Sequence, residues 1–212
     1  MRGANKMSVL LINGSPNRHG CTDRAFTEIT NQLKKHGIET EYIWLGKGPV
    51  QDCIACYKCQ TEGKCVFDDI VNEISAKLDT ADGLIIGSPV YYGGPSGRIT
   101  SIMDRLCFSA TRKFNLLPAA AIVSCRRGGG TAAYERLNMY LGNVNAIIPA
   151  SQYWNQVHGF TAEDVEKDEE GLQTMRALAD NMAYLIGSRR AADKAGVKLP
   201  EREAWTPTHF IR

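Results

Sequence analysis

The chain has 212 residues, of which 43% are hydrophobic and 23% charged, with a formal net charge of +2. That length can bury a substantial core and suits a single α/β domain. The near-neutral balance excludes a basic footprint for nucleic acid and a strongly acidic surface for steering basic partners, and no apolar run reaches the ~18 residues of a membrane span.

The apolar stretch Val9 to Ile12 is too short for a signal peptide and runs into Asn13-Gly14-Ser15-Pro16 with no small-residue cleavage site. A reducing cytoplasm is therefore expected, where clustered cysteines serve metals or redox chemistry. Residues 7–13 (MSVLLIN) form an apolar run bounded by Gly14, the pattern of a buried parallel strand. Thr22 to His36 reads as an amphipathic helix with Ala25, Phe26, Ile29 and Leu33 on one face, stopped by Gly37. Residues 40–45 form a second strand, and a cysteine-rich loop fills 46–66. A short helix follows from Asp68 to Leu78, then a buried strand from Asp82 to Ser88. After the loop 89–95 come a helix from Ser96 to Phe108 and a fourth strand from Leu117 to Ser124. A helix from Thr131 to Leu141, a fifth strand from Asn145 to Pro149 and a long helix from Asp168 to Arg189 complete the series.

Strands alternating with helices predict a parallel sheet covered on both faces. The expected fold class is α/β, a flavodoxin-like three-layer sandwich with five parallel strands in the order 2-1-3-4-5. One domain is expected over 1–196, with the cysteine loop 46–66 inserted after the second strand and an extended tail over 197–212. Ligands of such sheets bind beyond the strands' carboxyl ends, at the topological switch point. Three loops leave those ends: 14–22, 89–95 and 124–130.

The first loop joins a strand to a helix N-terminus, where free N–H groups and the helix dipole attract anions. Ser15, Asn17 and Thr22 add side-chain donors and Arg18 adds charge. The loop matches neither G-x-x-x-x-G-K-[ST] nor G-x-G-x-x-G, so a monophosphate such as that of FMN fits better than a triphosphate or dinucleotide. The competing reading is an ordinary turn with Thr22 as N-cap. The second loop sets Tyr91 and Tyr92 between Pro89 and Gly93, an aromatic wall with room for a flat ring; the competing reading is a tyrosine pair in the core. In the third loop, Ser124 to Gly130 offers backbone amides, and Arg126 or Arg127 is placed to stabilise an anionic reduced ring or to sit solvated on the surface.

The spacing Cys53-x-x-Cys56-x-x-Cys59-x5-Cys65 gathers four of the seven cysteines into thirteen residues. Four thiolates suit a cubane cluster, with one thiolate per iron, or a structural zinc. Cys56 and Cys59 alternatively suit a dithiol, and four plain reduced thiols complete the options. Lys58 and Lys64 lie close enough in sequence to offset thiolate charge, while Cys107 and Cys125 read as packing residues. His158, beside Tyr153 and Trp154, is a candidate proton donor or subunit contact.

Three pieces carry a family resemblance: Ser15-Pro16-Asn17-x-x-Gly20-Cys21-Thr22, Ser88-Pro89-Val90-Tyr91-Tyr92-Gly93, and Ser96-Gly97 leading to Asp104-Arg105. Together they resemble the NADPH-dependent FMN reductase family of flavodoxin-like proteins. The cysteine spacing resembles that of the iron–sulfur flavoproteins in that group, whose compact motif holds a [4Fe–4S] cluster. The stretch Gln152-Tyr153-Trp154-Asn155-x-x-His158-Gly159 is similar to bacterial members, and the resemblance covers most of 7–190. It implies non-covalent FMN, NAD(P)H as reductant, and a homodimer or homotetramer. Carried over by position, Ser15, Asn17, Gly20, Cys21 and Thr22 surround the phosphate. Pro89, Val90, Tyr91, Tyr92 and Gly93 cradle the ring, with Ser124, Cys125, Arg126 and Arg127 on its other edge.

The flavin supplies the chemistry in such a protein, so no side chain is singled out as catalytic. The first functional expectation is an FMN-dependent oxidoreductase that uses NAD(P)H to reduce a small acceptor such as a quinone, a flavin or a nitro compound. The alternative is an electron-transfer protein linking FMN, a cysteine-bound cluster and a ferredoxin-like partner. A flavin-free α/β binding module is the third option.

Overall fold

The computed structural model describes residues 6–204 and 206–209. Its strands are β1 (Ser8–Asn13), β2 (Glu39–Trp44), β3 (Gly83–Tyr91), β4 (Gly94–Pro95), β5 (Ala119–Cys125) and β6 (Gln156–His158). The main sheet runs β2-β1-β3-β5-β6 with every pairing parallel, while the two-residue β4 pairs antiparallel with the end of β3. Counted without β4, this is the expected order 2-1-3-4-5. The chain leaves β1 toward β2 on one side and pairs it with β3 on the other, so the loops after β1 and β3 diverge and open a crevice.

Period-two alternation along β1 divides the core. Leu10 and Ile12 pack on one face with α3 (Ile70–Lys77), α4 (Gly97–Ser109) and α5 (Gly130–Asn143), through residues such as Ile74, Ile102 and Leu137. Val9 and Leu11 pack on the other with α1 (Cys21–Lys35), α6 (Ala162–Val165) and α7 (Glu169–Lys194), through Phe26, Val165 and Met182. The apolar face read for α1 is the one it buries: Ala25, Phe26, Ile29 and Leu33. It lies so close to β3 that a Cβ on Gly87 would stand 2.5 Å from the Phe26 ring. Asp168 caps α7 by accepting from the Gly171 N–H at 3.0 Å. Near its far end Arg190 grips the buried Asp82 through two nitrogens at 3.0 and 2.7 Å. Asp82 also accepts the Ser8 N–H at 2.9 Å, which fixes the amino ends of β1 and β3 to the helix.

One expected strand is corrected. Residues 145–149 do not form a strand; they make a single parallel bridge, Pro118 with Ile147. The Ile147 N–H reaches Leu117 O and its carbonyl accepts from Ala119, both at 2.9 Å. Pro149 then offers no N–H to continue the ladder. The chain bows outward and rejoins β5 as β6, two residues beyond Trp154. The fifth position of the sheet is thus filled in two short pieces.

The cysteine loop lies between β2 and α3 and contains only the short α2 (Lys58–Glu62). Residues 197–204 and 206–209 are exposed and carry no helix or strand. Residues 205 and 210–212 of the expected tail, and 1–5 of the expected domain, lie outside the described residues. Among the described residues no helix is long and apolar enough to cross a membrane.

Candidate functional site

The first loop is set by a buried asparagine at the end of β1. Asn13 is fully buried; its side-chain oxygen accepts the Ser15 N–H at 2.8 Å and its amide donates to the Tyr42 hydroxyl at 2.7 Å. Tyr42 in turn donates to Asp23 at 2.5 Å, and burial with the nearby Asp23 carboxylate holds its phenol well above the usual range. Trp44 donates its indole N–H to Ser15 O at 2.7 Å and lies under the Arg18 guanidinium. The Asn17 N–H folds back on the Ser15 hydroxyl at 3.1 Å.

α1 then starts without a side-chain cap: Gly20 is the N-cap, and the first helical bond runs from Arg24 N–H to Gly20 O at 3.0 Å. The N–H groups of the first turn have no acceptor within the helix and point toward the loop mouth. The reading of Thr22 as N-cap is therefore corrected. Thr22 is buried, and its hydroxyl pairs with that of Ser124 at 2.9 Å, tying α1 to β5 beneath the crevice. The Cys21 thiol faces the carbonyls of Gly159 and Thr161 at 3.4 and 3.2 Å, and burial pushes it up from its ordinary value. Ser15, Asn17, Gly20 and the backbone of 21–22 remain at the mouth.

Ser96, the N-cap of α4, joins this loop to the second. Its hydroxyl donates to Gly14 O at 2.9 Å and its N–H to the Ser88 hydroxyl at 2.8 Å. Pro89 and Val90 are partly buried, Tyr91 is half exposed, and Tyr92 is wholly exposed with a left-handed backbone at φ 49°. The tyrosine pair is therefore a surface wall and not a core pair. Tyr91 pairs with Gly94 in a tight hairpin around Tyr92 and Gly93.

The third loop closes on the second. Gly129 has φ +89°, and a Cβ there would stand 2.7 Å from Gly93 Cα. Ser124 and Cys125 are buried. Burial pushes the Cys125 thiol up, while the nearby backbone of Gly130 and Arg127 favours its charged form. Arg126 and Arg127 are exposed. Pairing of Pro89 with Ser124 and of Asn13 with Gly87 sets all three loops at one end of the sheet. An uncapped helix start, a buried serine, an aromatic wall and a glycine-lined seam fit a flavin mononucleotide. His158, opposite Cys125 on β6, sits at the same end; its N–H donates to Asp168 at 2.6 Å and its ring lies 3.6 Å from that carboxylate.

The four clustered cysteines line one cavity with Tyr57, Phe67, Arg105, Phe108 and Ser109. The loop turns inward through two non-glycine residues in left-handed backbone, Ala55 at φ 52° and Tyr57 at φ 58°. Each such turn costs free energy that the surroundings must offset. Burial and the neighbouring Cys56, Cys65 and Cys53 push the Cys59 thiol up. Among the described residues no three ligating side chains stand close enough to share one ion. A single zinc needs its sulfurs at ~2.3 Å from one point. A cubane instead takes one thiolate at each of its four irons, and the four cysteines that line the cavity supply that number. Cys107, by contrast, is packed in the core and pushed up to about 12 by burial.

Sequence reasoning missed the residues that hold these loops. Lys58 and Lys64 are exposed and do not line the cysteine cavity; the cation there is Arg105. Asn72 clamps Cys65 by accepting its N–H and donating to its carbonyl, both at 3.0 Å. Arg105 had a signal, since it interrupts the buried stripe of Ile99, Ile102, Met103 and Leu106 on α4.

A family model described as NADPH-dependent FMN reductase matches residues 7–161. An iron-sulfur flavoprotein of Methanocaldococcus jannaschii is 34% identical over 190 residues, covering 85% of this chain and 97% of the relative. One from Methanosarcina thermophila is 26% identical over 184 residues, covering 85% and 95%. Among solved structures, RosB with a bound 8-demethyl-8-formylriboflavin-5′-phosphate intermediate superposes with a TM-score of 0.67 at 15% identity, covering 97% of this chain and 94% of that one. A WrbA-like flavodoxin from Agrobacterium tumefaciens gives 0.60 at 16% identity, covering 87% and 99%. At such identities the structures speak for the fold alone, whereas the sequence matches show that this chain belongs to the NADPH-dependent FMN reductase family, within its iron–sulfur flavoprotein subgroup.

Proposed function

We propose that this FMN-dependent oxidoreductase serves electron transfer, with FMN in the three-loop crevice and a [4Fe–4S] cluster on Cys53, Cys56, Cys59 and Cys65. The observation that carries this reading is that all four clustered cysteines line one cavity. When bound, FMN exchanges one or two electrons and the cluster exchanges one. The chain's own residues supply the rest. Ser15 and the first-turn N–H groups of α1 hold the phosphate, and Tyr91 and Tyr92 lie along the ring. Arg126 or Arg127 balances negative charge on the reduced ring. A ferredoxin-like protein is the partner this reading assigns, in a cytoplasmic homodimer or homotetramer.

A second reading, reduction of a small acceptor by NAD(P)H, draws on the family's description and on the solvent-facing Tyr92. Anaerobic purification with iron, sulfide and flavin quantitation tests the first reading. Near-stoichiometric iron and sulfide, with flavin reduced by a ferredoxin and not by NADPH, is the expected result. Iron-free yellow protein bleached at once by NADPH removes the first reading in favour of the second.

A further inference from the structure

Among the described residues one cation, Arg105, lines the cavity, and its placement is specific. The Arg105 side chain is 1% exposed. Two of its nitrogens each meet an oxygen of Asp69 at 2.8 Å, a bidentate pair. One of these also donates to Gln51 O at 3.2 Å, just ahead of the cysteine motif. The guanidinium lies 4.9 Å from the centre of the Phe67 ring. The third nitrogen, through Nε–H, is aimed at Cys65 Sγ at 3.3 Å. Asp69 and Gln51 fix the fork, so the N–H facing sulfur is held in place and does not wander. A flexible ammonium lacks this geometry.

We infer that Arg105 is a positioning residue for the redox centre: it locks Cys65 toward the cavity and donates an N–H···S hydrogen bond that tunes the group bound there. The inference rests on the cluster reading above. Two consequences follow from the chemistry. Hydrogen bonds to ligand sulfur stabilise the more negative, reduced state of a cluster and so raise its potential. Outer-shell partners of ligands also hold the metal, and their loss typically costs about 10–100-fold in affinity. Asp69 neutralises the guanidinium charge, which leaves the directed N–H as the distinguishing contribution.

The test uses full-length protein with Arg105→Lys, Arg105→Gln, Asp69→Asn and Cys65→Ala. In metal-stripped protein, ¹⁵N-arginine spectra read the contact directly. The Arg105 Nε–H signal is expected to shift and exchange faster in Cys65→Ala, and an unmoved signal overturns the contact. In iron-loaded protein, Arg105→Lys is expected to show a more negative potential and about 10–100-fold faster iron loss to a chelator. Asp69→Asn, which keeps Nε–H, loses thermal stability but holds iron better than Arg105→Lys, a split that a purely structural arginine would not give. If Arg105→Gln fails to fold, the lysine variant decides. A wild-type potential and iron retention in Arg105→Lys overturn the inference. Wild-type protein that takes up no iron defeats the cluster reading separately, while the Nε–H spectrum still decides the contact.

Discussion

Gly129 and Gly128 are neighbours, yet the structure gives them opposite tolerances. Gly129 has φ +89°, and its added Cβ would stand 2.7 Å from the backbone Cα of Gly93, which cannot rotate away. The left-handed backbone costs about 1–2 kcal/mol for an L-residue. Forcing apart two packed loops costs about 1–3 kcal/mol more. Gly129→Ala is therefore expected to lose about 2–5 kcal/mol of stability, or to shift the third loop away from the second to relieve it. Gly128 has no atom within 4 Å of its added Cβ, so Gly128→Ala is the matched control. Urea denaturation with and without FMN, and flavin fluorescence titration, measure both effects. Gly128→Ala should bind FMN as the wild type does, while Gly129→Ala should bind at least roughly tenfold more weakly, equivalent to about 1.4 kcal/mol. Equal midpoints and equal FMN affinity in the two variants would refute the claim that the second and third loops form one seam.

Three further outcomes are expected. Asn13→Ala strips the buried Ser15 N–H of its acceptor and should cost about 1–3 kcal/mol of stability by urea denaturation, with weaker FMN binding. Tyr92→Ala removes an exposed ring that contributes nothing to the core; thermal stability should stay within about 0.5 kcal/mol while FMN affinity falls. Glu28 sits between Arg24 and Arg176, and although burial alone would push its carboxyl up, the two arginines hold it below the ordinary range. Its contribution is complete above the unfolded carboxylate pKa of about 4.3 and disappears as pH falls through the lower folded value. Glu28→Gln should accordingly be less stable than wild type at neutral pH and lose less stability on acidification, as read by thermal melts from pH 7 to pH 3.

Much of the fold was legible because buried parallel strands and amphipathic helices write strong periodic signals. The runs ending at Asn13, Ser88 and Ser124 became β1, β3 and β5, and the helix starts near Thr22, Ser96 and Thr131 fell within a residue or so of their observed ends. The outer strand was misplaced because Ile147 and Ile148 carry the stronger apolar signal, while the ladder resumes over Gln156–His158, where only Val157 is buried. The loops showed which backbone segments meet, because strand order fixes that. They did not show which side chains do the holding. Asn13 with Tyr42, Trp44 with Ser15, and Arg105 with Cys65 lie tens of residues apart, and such pairings have no local period. Thr22 and Cys125 were credited to ligand binding by their positions. In the folded chain both side chains are buried, and the Thr22 hydroxyl pairs with that of Ser124.

The interruption at Pro149 also shapes how the molecule can meet others. A long unbroken ribbon at a sheet border invites another polypeptide to add to it rung by rung. Here that border is reduced to one bridge at Ile147 and three residues at β6, with a bowed segment between them bearing Tyr153 and Trp154. A chain approaching this side would meet the exposed rings of Tyr153 and Trp154 and no long ladder edge to extend.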